Sequence, residues 1–161
     1  MHAFEKIIGW ISDKLKVAGA LCLAGMTLLT CVDVVGRFFR HPIFGSVELV
    51  SFMATLAVAM ALPYTHQVKG HIGVEILVRM FSDRTQAIID LCTAILSLFL
   101  FAIITWRMTV YAHTIQDAGE LSISLKFPEY LIIYAVAFCL LIFTLIIIQD
   151  IREIIGKLKT K

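Results

Sequence analysis

The segment DVVGRFFRHPIFGSVEL, Asp33–Leu49, interrupts a chain that is otherwise strongly apolar. An apolar run from Val17 to Val32 precedes this segment, and a second apolar run follows it and extends to Tyr64. Charged side chains, a proline and two glycines are therefore concentrated between two long apolar runs. This pattern is typical of a polar turn between two helices that cross a membrane.

The composition indicates that lipid surrounds most of the chain. Of the 161 residues, 60% are hydrophobic and 16% are charged, and the mean hydropathy is +0.90. A water-soluble domain of this length cannot bury so much apolar surface, because small domains leave a large share of their surface in contact with water. Since the chain has no linker-like segment and no repeat, we predict a single membrane domain over residues 1–161.

Four stretches have the length of about 20 residues that a helix needs to cross about 30 Å of hydrocarbon. Helices are expected because backbone amides in lipid must be bonded internally, and the stretches lack the alternation of barrel strands. The sequence therefore predicts an all-α integral membrane protein with four transmembrane helices. The predicted spans are residues 16–36, 47–65, 87–106 and 130–149.

The basic residues predict the orientation of these spans. Ten of the 14 lysines and arginines lie in the N-terminal segment, in the connection between spans two and three, and in the C-terminal tail. The other four, placed on the opposite side, are Arg37, Arg40, Arg107 and Lys126. Because cytoplasmic loops are enriched in lysine and arginine, both termini are predicted to be cytoplasmic.

Three segments outside the spans have amphipathic patterns. Residues 1–15 repeat apolar side chains at helical spacing and contain Trp10, which suits the head-group layer. Residues 70–82 show a weaker version of the same pattern, and we predict an interfacial helix in each segment. Residues 150–161 are predicted to continue the last span as an amphipathic cytoplasmic tail.

The centres of the predicted spans contain no charged residue and no proline, and Gly25 is their one glycine. Secondary transporters bind substrate and ions near the midplane through broken helices and ionisable side chains. We therefore expect that this chain transports nothing on its own, and that hydroxyl groups in the spans bond to their own or neighbouring helices. Small residues at fourfold spacing, Ala20/Ala24 and Ala57/Ala61, predict a close approach of spans one and two.

The interrupting segment also predicts a charge-stabilised turn. Asp33 and Arg37 are four residues apart, in the favourable order for an ion pair on one helix face. Ser46 is predicted to be the N-cap of span two, and Glu48 lies in its first turn, where the helix dipole favours an acid. Asp33, Arg37 and Glu48 are therefore predicted to form a structural charge cluster, in a polar corner that is also suited to docking a partner.

This segment resembles the small membrane subunit of tripartite ATP-independent periplasmic (TRAP) transporters, the DctQ-like or Q-type subunit. In that family an acid and an arginine end span one, and an aromatic residue, Pro, Gly-Ser and Glu-Leu open span two, as in Asp33–Leu49. A second match is AMALPYTHQVKGHIGVEIL, residues 59–77, which follows the family's pattern of a histidine and an acid. The resemblance marks four residues as a cytoplasmic motif: His66, Lys69, His71 and Glu75.

The resemblance implies a non-catalytic scaffold subunit in the bacterial inner membrane. Such subunits pair with a large membrane subunit that carries the substrate and sodium sites and moves as an elevator, while a soluble periplasmic protein delivers the organic anion. The small subunit is expected to brace the large one and to help dock the binding protein. No cofactor and no nucleic-acid partner are expected. The possible periplasmic docking residues are Arg40, His41, Arg107, Asp117, Glu120 and Lys126.

Two other functions remain open at this point. A small homo-oligomeric exporter would need a membrane-embedded acid, and the candidates Asp33, Glu48 and Asp90 all lie toward the ends of spans. A membrane anchor for a redox enzyme would need two axial histidines at matched depth, whereas the histidines are divided between the two sides. The substrate also stays open among C4-dicarboxylates, other carboxylates, sulfonates and sialic acids.

Overall fold

The computed structural model describes the backbone of residues 2–68 and 83–159, and the side chains of residues 8–68, 85–86 and 88–156. Within these ranges the chain forms four helices: α1, His2–Phe38; α2, Ser46–Gln67; α3, Asp83–Ala118; and α4, Tyr130–Lys159. Each helix is long and apolar enough to cross a membrane, which confirms the prediction of four membrane-spanning helices. The predicted interfacial helix at residues 70–82 and the motif residues Lys69, His71 and Glu75 lie outside the described residues.

α1 is much longer than the predicted first span. The predicted surface segment and the first span form one continuous helix, with no break near residue 15. The apolar face of residues 8–15 packs against Ile142 and Ile146 of α4, and Ile8 is buried in this contact. Residues 8–15 therefore use their apolar face for contact with another helix of the bundle.

α4 is the central helix of the fold. A core cluster joins Ala59 of α2 to Val136, Cys139 and Leu140 of α4. α4 contacts α1, α2 and α3, whereas the extensive contacts of α3 are with α4. In the most apolar 18 residues of each helix, 44% are buried in α4 and 0% in α3. α3 is therefore an edge helix, and most of its surface is available to lipid or to another protein.

α1 and α2 approach each other closely at Gly19. A Cβ atom on Gly19 would lie 3.3 Å from the carbonyl oxygen of Ala57 and 3.3 Å from the Cβ of Met60. Gly19 and Ala57 are buried, whereas Ala20 and Ala24 are exposed. The predicted close approach therefore occurs, but the prediction of Ala20 and Ala24 as its α1 residues is wrong. A shift of one residue turns a helix by about 100°, which moves both alanines out of the contact.

Replacement of Gly19 by leucine is expected to destabilise the protein by about 1–3 kcal/mol, because the new side chain forces α1 away from the backbone of α2. Thermal unfolding in detergent micelles measures this effect. The matched control is Ala20→Leu, which adds the same side chain at an exposed position and should leave the unfolding temperature nearly unchanged. Equal unfolding temperatures for the two variants would refute the assignment of Gly19 to the contact.

Candidate functional site at the two ends of the bundle

Two turns lie at one end of the bundle, which we call the loop end: residues 39–45 join α1 to α2, and residues 119–129 join α3 to α4. Both preceding helices end in a Schellman motif, in which two backbone N–H groups beyond the helix bond to carbonyls of its last turn. The left-handed position is occupied by Arg40 (φ 62°) after α1 and by Gly119 (φ 63°) after α3. The last-turn carbonyls of Gly36, Arg37, Ile115 and Gln116 are therefore satisfied within the chain.

Asp33 connects α1 to the turn that follows it. One carboxylate oxygen accepts a hydrogen bond from Nε of Arg37 at 2.7 Å. The other accepts a hydrogen bond from the backbone N–H of Ile43 at 2.9 Å, and the hydroxyl of Ser46 is a further donor. Asp33 is 7% exposed, so its charge is compensated by these groups rather than by solvent. The structure thus brings Asp33 and Arg37 together.

α2 begins at Ser46, but Ser46 is not its N-cap. The N-cap is Gly45, with φ 72°, and no side chain caps the helix. A Cβ atom on Gly45 would lie 2.7 Å from Cδ2 of Leu125, so the two turns are in direct contact there. The prediction of Ser46 as the N-cap is wrong because Gly45 takes the left-handed position and Ser46 points inward, where it is 3% exposed.

Glu48 connects the α1–α2 hairpin to the α3–α4 hairpin. Its carboxylate accepts hydrogen bonds from three consecutive backbone N–H groups, those of Ile123 (3.1 Å), Ser124 (3.2 Å) and Leu125 (2.9 Å). Consecutive N–H groups that converge in this way form an anion-binding concavity, which here receives a carboxylate of the same chain. Arg37 is not among the described partners of Glu48, so the three members of the predicted charge cluster do not form one group.

The predicted docking residues at the loop end are exposed and divided between the two turns. The basic pair Arg40 and His41 lies on the α1–α2 turn, and Asp117, Glu120 and Lys126 lie at the end of α3 and on the α3–α4 turn. Asp117 is 2.9 Å from Nδ1 of His113, one turn earlier on the same helix. The α1–α2 turn is therefore basic, and the end of α3 is mainly acidic.

Large apolar side chains accompany these charges at the loop end. The exposed ones in and beside the two turns include Phe38, Phe39, Phe44, Leu121, Ile123 and Phe127. Ile123 is 87% exposed although its backbone N–H is bonded to Glu48. The loop end thus combines a fixed backbone with exposed aromatic and aliphatic groups, a composition found at interfaces with membranes and with proteins.

Arg107 lies apart from the other predicted docking residues. It precedes the end of α3 at Ala118 by about three helical turns, or about 16 Å at about 1.5 Å per residue. Its neighbour Met108 packs against the core cluster, and Oγ1 of Thr105 lies 3.5 Å from Oγ1 of Thr144 in the middle of α4. Arg107 is therefore exposed at the depth of the core, whereas the sequence alone suggested that it follows the end of a span.

The opposite end of the bundle, which we call the termini end, has its own polar contacts. Nζ of Lys16 lies 3.9 Å from the centroid of the Tyr64 ring, a cation–π contact between α1 and α2. Nε2 of His66 lies 2.7 Å from Oδ2 of Asp150, a polar contact that links α2 to α4 and that is an ion pair when the histidine is protonated. Two edge-on ring contacts continue this link, from His66 to Phe143 and from Phe143 to Phe101.

Sequence reasoning missed Asp150 as a partner of His66, although a signal was present. Each residue lies where the apolar run of its helix ends, and α2 and α4 run in the same direction. Two parallel helices whose apolar runs end with a base and an acid bring those groups to similar depth. The other three residues of the predicted cytoplasmic motif are outside the described part of the chain.

Together these features define a multi-pass membrane protein made of two helical hairpins that are joined at the loop end through Glu48. The family model for tripartite ATP-independent periplasmic transporters, DctQ component, matches residues 26–156. The chain therefore belongs to the DctQ family of TRAP transporter components, as the sequence resemblance indicated. Comparisons with curated proteins and with solved structures find no match.

Replacement of Glu48 by alanine is expected to release the α3–α4 turn, because three backbone N–H groups lose their acceptor. Hydrogen exchange measured by mass spectrometry should become at least about tenfold faster at residues 123–125. Glu48→Gln keeps an oxygen acceptor and should show a smaller increase. Unchanged exchange in the alanine variant would show that Glu48 does not fix the turn.

The contact between His66 and Asp150 is expected to contribute a coupling free energy of about 0.5–1 kcal/mol, the range of partly exposed ion pairs. A double-mutant cycle with His66→Ala, Asp150→Ala and the double variant measures this coupling from unfolding in detergent. Additive effects of the two single substitutions would contradict the contact. Glu153→Ala, which changes an exposed acid on the same helix, serves as the control.

Proposed function

We propose that the chain is the small, non-catalytic membrane subunit of a TRAP transporter that takes up small organic anions. The observation that carries this proposal is the family match over residues 26–156, which includes parts of all four helices and both turns of the loop end. The large membrane subunit and the periplasmic substrate-binding protein are the implied partners. The transported anion is a carboxylate or a sulfonate.

The proposed role is to brace the large subunit rather than to bind substrate. Substrate sites in membranes need polar groups that are free to meet a ligand. Five span threonines donate their hydroxyls to the carbonyl four residues earlier in the same helix: Thr27, Thr30, Thr55, Thr93 and Thr144. This bonding agrees with the expectation that span hydroxyls bond to their own or neighbouring helices. This internal bonding supports assignment of the substrate and sodium sites to the large subunit.

The proposed orientation places the loop end in the periplasm and the termini end in the cytoplasm of the inner membrane. The concentration of lysine and arginine toward the termini end supports this orientation. The loop end would then offer the binding protein a basic turn with Arg40 and His41 beside the acidic end of α3. Opposite charges on the binding protein would control the rate and register of docking more than the final affinity.

Uptake is expected to require all three components. Proteoliposomes that contain both membrane subunits, with an external sodium gradient and the binding protein, should accumulate a radiolabelled anion from a panel of succinate, a sulfonate and a sialic acid. Omission of this chain should reduce uptake to the background of empty vesicles, because the large subunit loses its brace.

The decisive control is this chain alone in liposomes under the same gradient. Background uptake for every anion of the panel agrees with the scaffold role. Accumulation by the chain alone would refute that role and favour a small self-assembling transporter. Full uptake by the large subunit and binding protein without this chain would refute it as well.

A further inference from the structure

The apolar segments of α3 and α4 are displaced relative to each other along the axis of the hairpin that the two helices form. Two contacts agree on how they pair: Thr105 with Thr144 (3.5 Å) and Gln116 with Tyr134 (3.1 Å). The rings of Phe101 and Phe143 also meet, with centroids 4.6 Å apart. Residues 131–148, the apolar run of α4, are therefore level with residues 101–118 of α3. The apolar residues 91–100 of α3 lie level with the C-terminal part of α4, which contains Asp150, Arg152 and Glu153.

Arg107 is consequently placed within the apolar layer. It lies level with Ile142 of α4, and it makes no ion pair or hydrogen bond with any side chain that the structure describes. The loop end is about 16 Å away along the helix, which is beyond the reach of an arginine side chain. A charged group at this depth is costly in lipid, and in membrane proteins it usually faces other protein or a water-filled cavity.

Arg107 is thus a charged residue of α3 level with apolar residues of α4, and the opposite mismatch, apolar residues of α3 level with charged residues of α4, occurs nearer the termini end. A shallow apolar depression on the outside of the helix is lined by Cys92, Ile95, Leu96 and Phe99. By the same pairing, residues 96–99 are level with residues 150–153 of α4, which include Asp150 and Arg152. This apolar surface therefore lies at the depth where α4 has already become polar.

Leu96, at the edge of this depression, lies on the same side of α3 as Arg107. Six exposed residues follow one another at spacings of three and four and form what we call the α3 stripe: Leu96, Leu100, Ile103, Arg107, Tyr111 and Thr114. Spacings of three and four align side chains along one side of a helix. Lipid fits neither the charged part nor the displaced apolar part of this stripe, whereas a neighbouring protein helix can fit both.

We propose that the α3 stripe is the contact surface for a transmembrane helix of the large subunit, and that this helix presents a carboxylate to Arg107. The inference rests on the proposed function, since it uses the large subunit as the partner. A second copy of this chain in the same orientation is a poorer partner. The described acids of the chain are either paired within it (Asp13, Asp33, Glu48, Asp117 and Asp150) or at the loop end (Glu120 and Glu129). The two others lie far from the level of Arg107 along the helix axis, Asp90 by about 26 Å and Glu153 by about 16 Å.

Substitution of Arg107 distinguishes a weaker contact with the large subunit from a lower stability of this chain. Arg107→Leu should reduce the amount of large subunit that co-purifies with this chain by at least about tenfold, because the partner carboxylate is left unpaired in the apolar layer. The isolated variant should unfold at the same temperature as the wild type or at a higher one, because a charge has been removed from the lipid-exposed surface. Arg107→Lys should retain most of the co-purification, and Trp106→Leu is the control for an exposed neighbour on α3.

Photo-cross-linking tests the same surface without removal of the charge. Position 111 is changed from Tyr111 to p-benzoylphenylalanine in membranes that contain all three components, and irradiation should join this chain to the large subunit. A cross-link to a second copy of the chain, or to lipid alone, would overturn the inference, as would unchanged co-purification of the Arg107→Leu variant. If the wild-type chain does not co-purify with the large subunit at all, the proposed function itself fails.

Discussion

The hydrogen bonds of the Glu48 carboxylate to three consecutive backbone N–H groups are the constraint on which the loop end depends. Without an acceptor at this point, the α3–α4 turn would expose three adjacent donors near the membrane boundary, where unsatisfied amides are costly. The same contact seats Leu125 on Gly45 and thereby requires a residue without a side chain at the start of α2. Glu48 thus determines the position of both turns, and Asp33 additionally fixes the α1–α2 turn against the end of α1.

Much of the helical architecture could be predicted from the sequence, because a run of about 20 apolar residues has few structural solutions in lipid. The pairing of Asp33 with Arg37 could also be predicted, since it depends on the geometry of a single helix turn. The amide partners of Glu48 could not, because they lie 75–77 residues away along the chain and are backbone groups without a sequence signature. The prediction of Ser46 as the N-cap of α2 was wrong for a related reason, because Gly45 is fixed by contact with the distant α3–α4 turn.

The depth of Arg107 shows a second limit of sequence reasoning. Hydropathy describes each helix in isolation, and on that basis Arg107 follows the end of an apolar stretch. The depth of a residue also depends on how far its helix is displaced along its neighbour, and the contacts of Thr105 and Gln116 set that displacement. Hydropathy and helix pairing disagree on the depth of α3, and α3 is also the helix whose most apolar 18 residues are the least buried.

The central position of α4 has a consequence for biosynthesis. Ribosomes make α4 after the other three helices, yet the core cluster joins Ala59 of α2 to three residues of α4. α2 and α3 are therefore synthesised before the helix on which they pack. Until α4 is made, the core cluster lacks three of its buried residues. The α1–α2 contact at Gly19 can form before α4 is made, whereas the core cluster can form only after α4 has entered the bilayer.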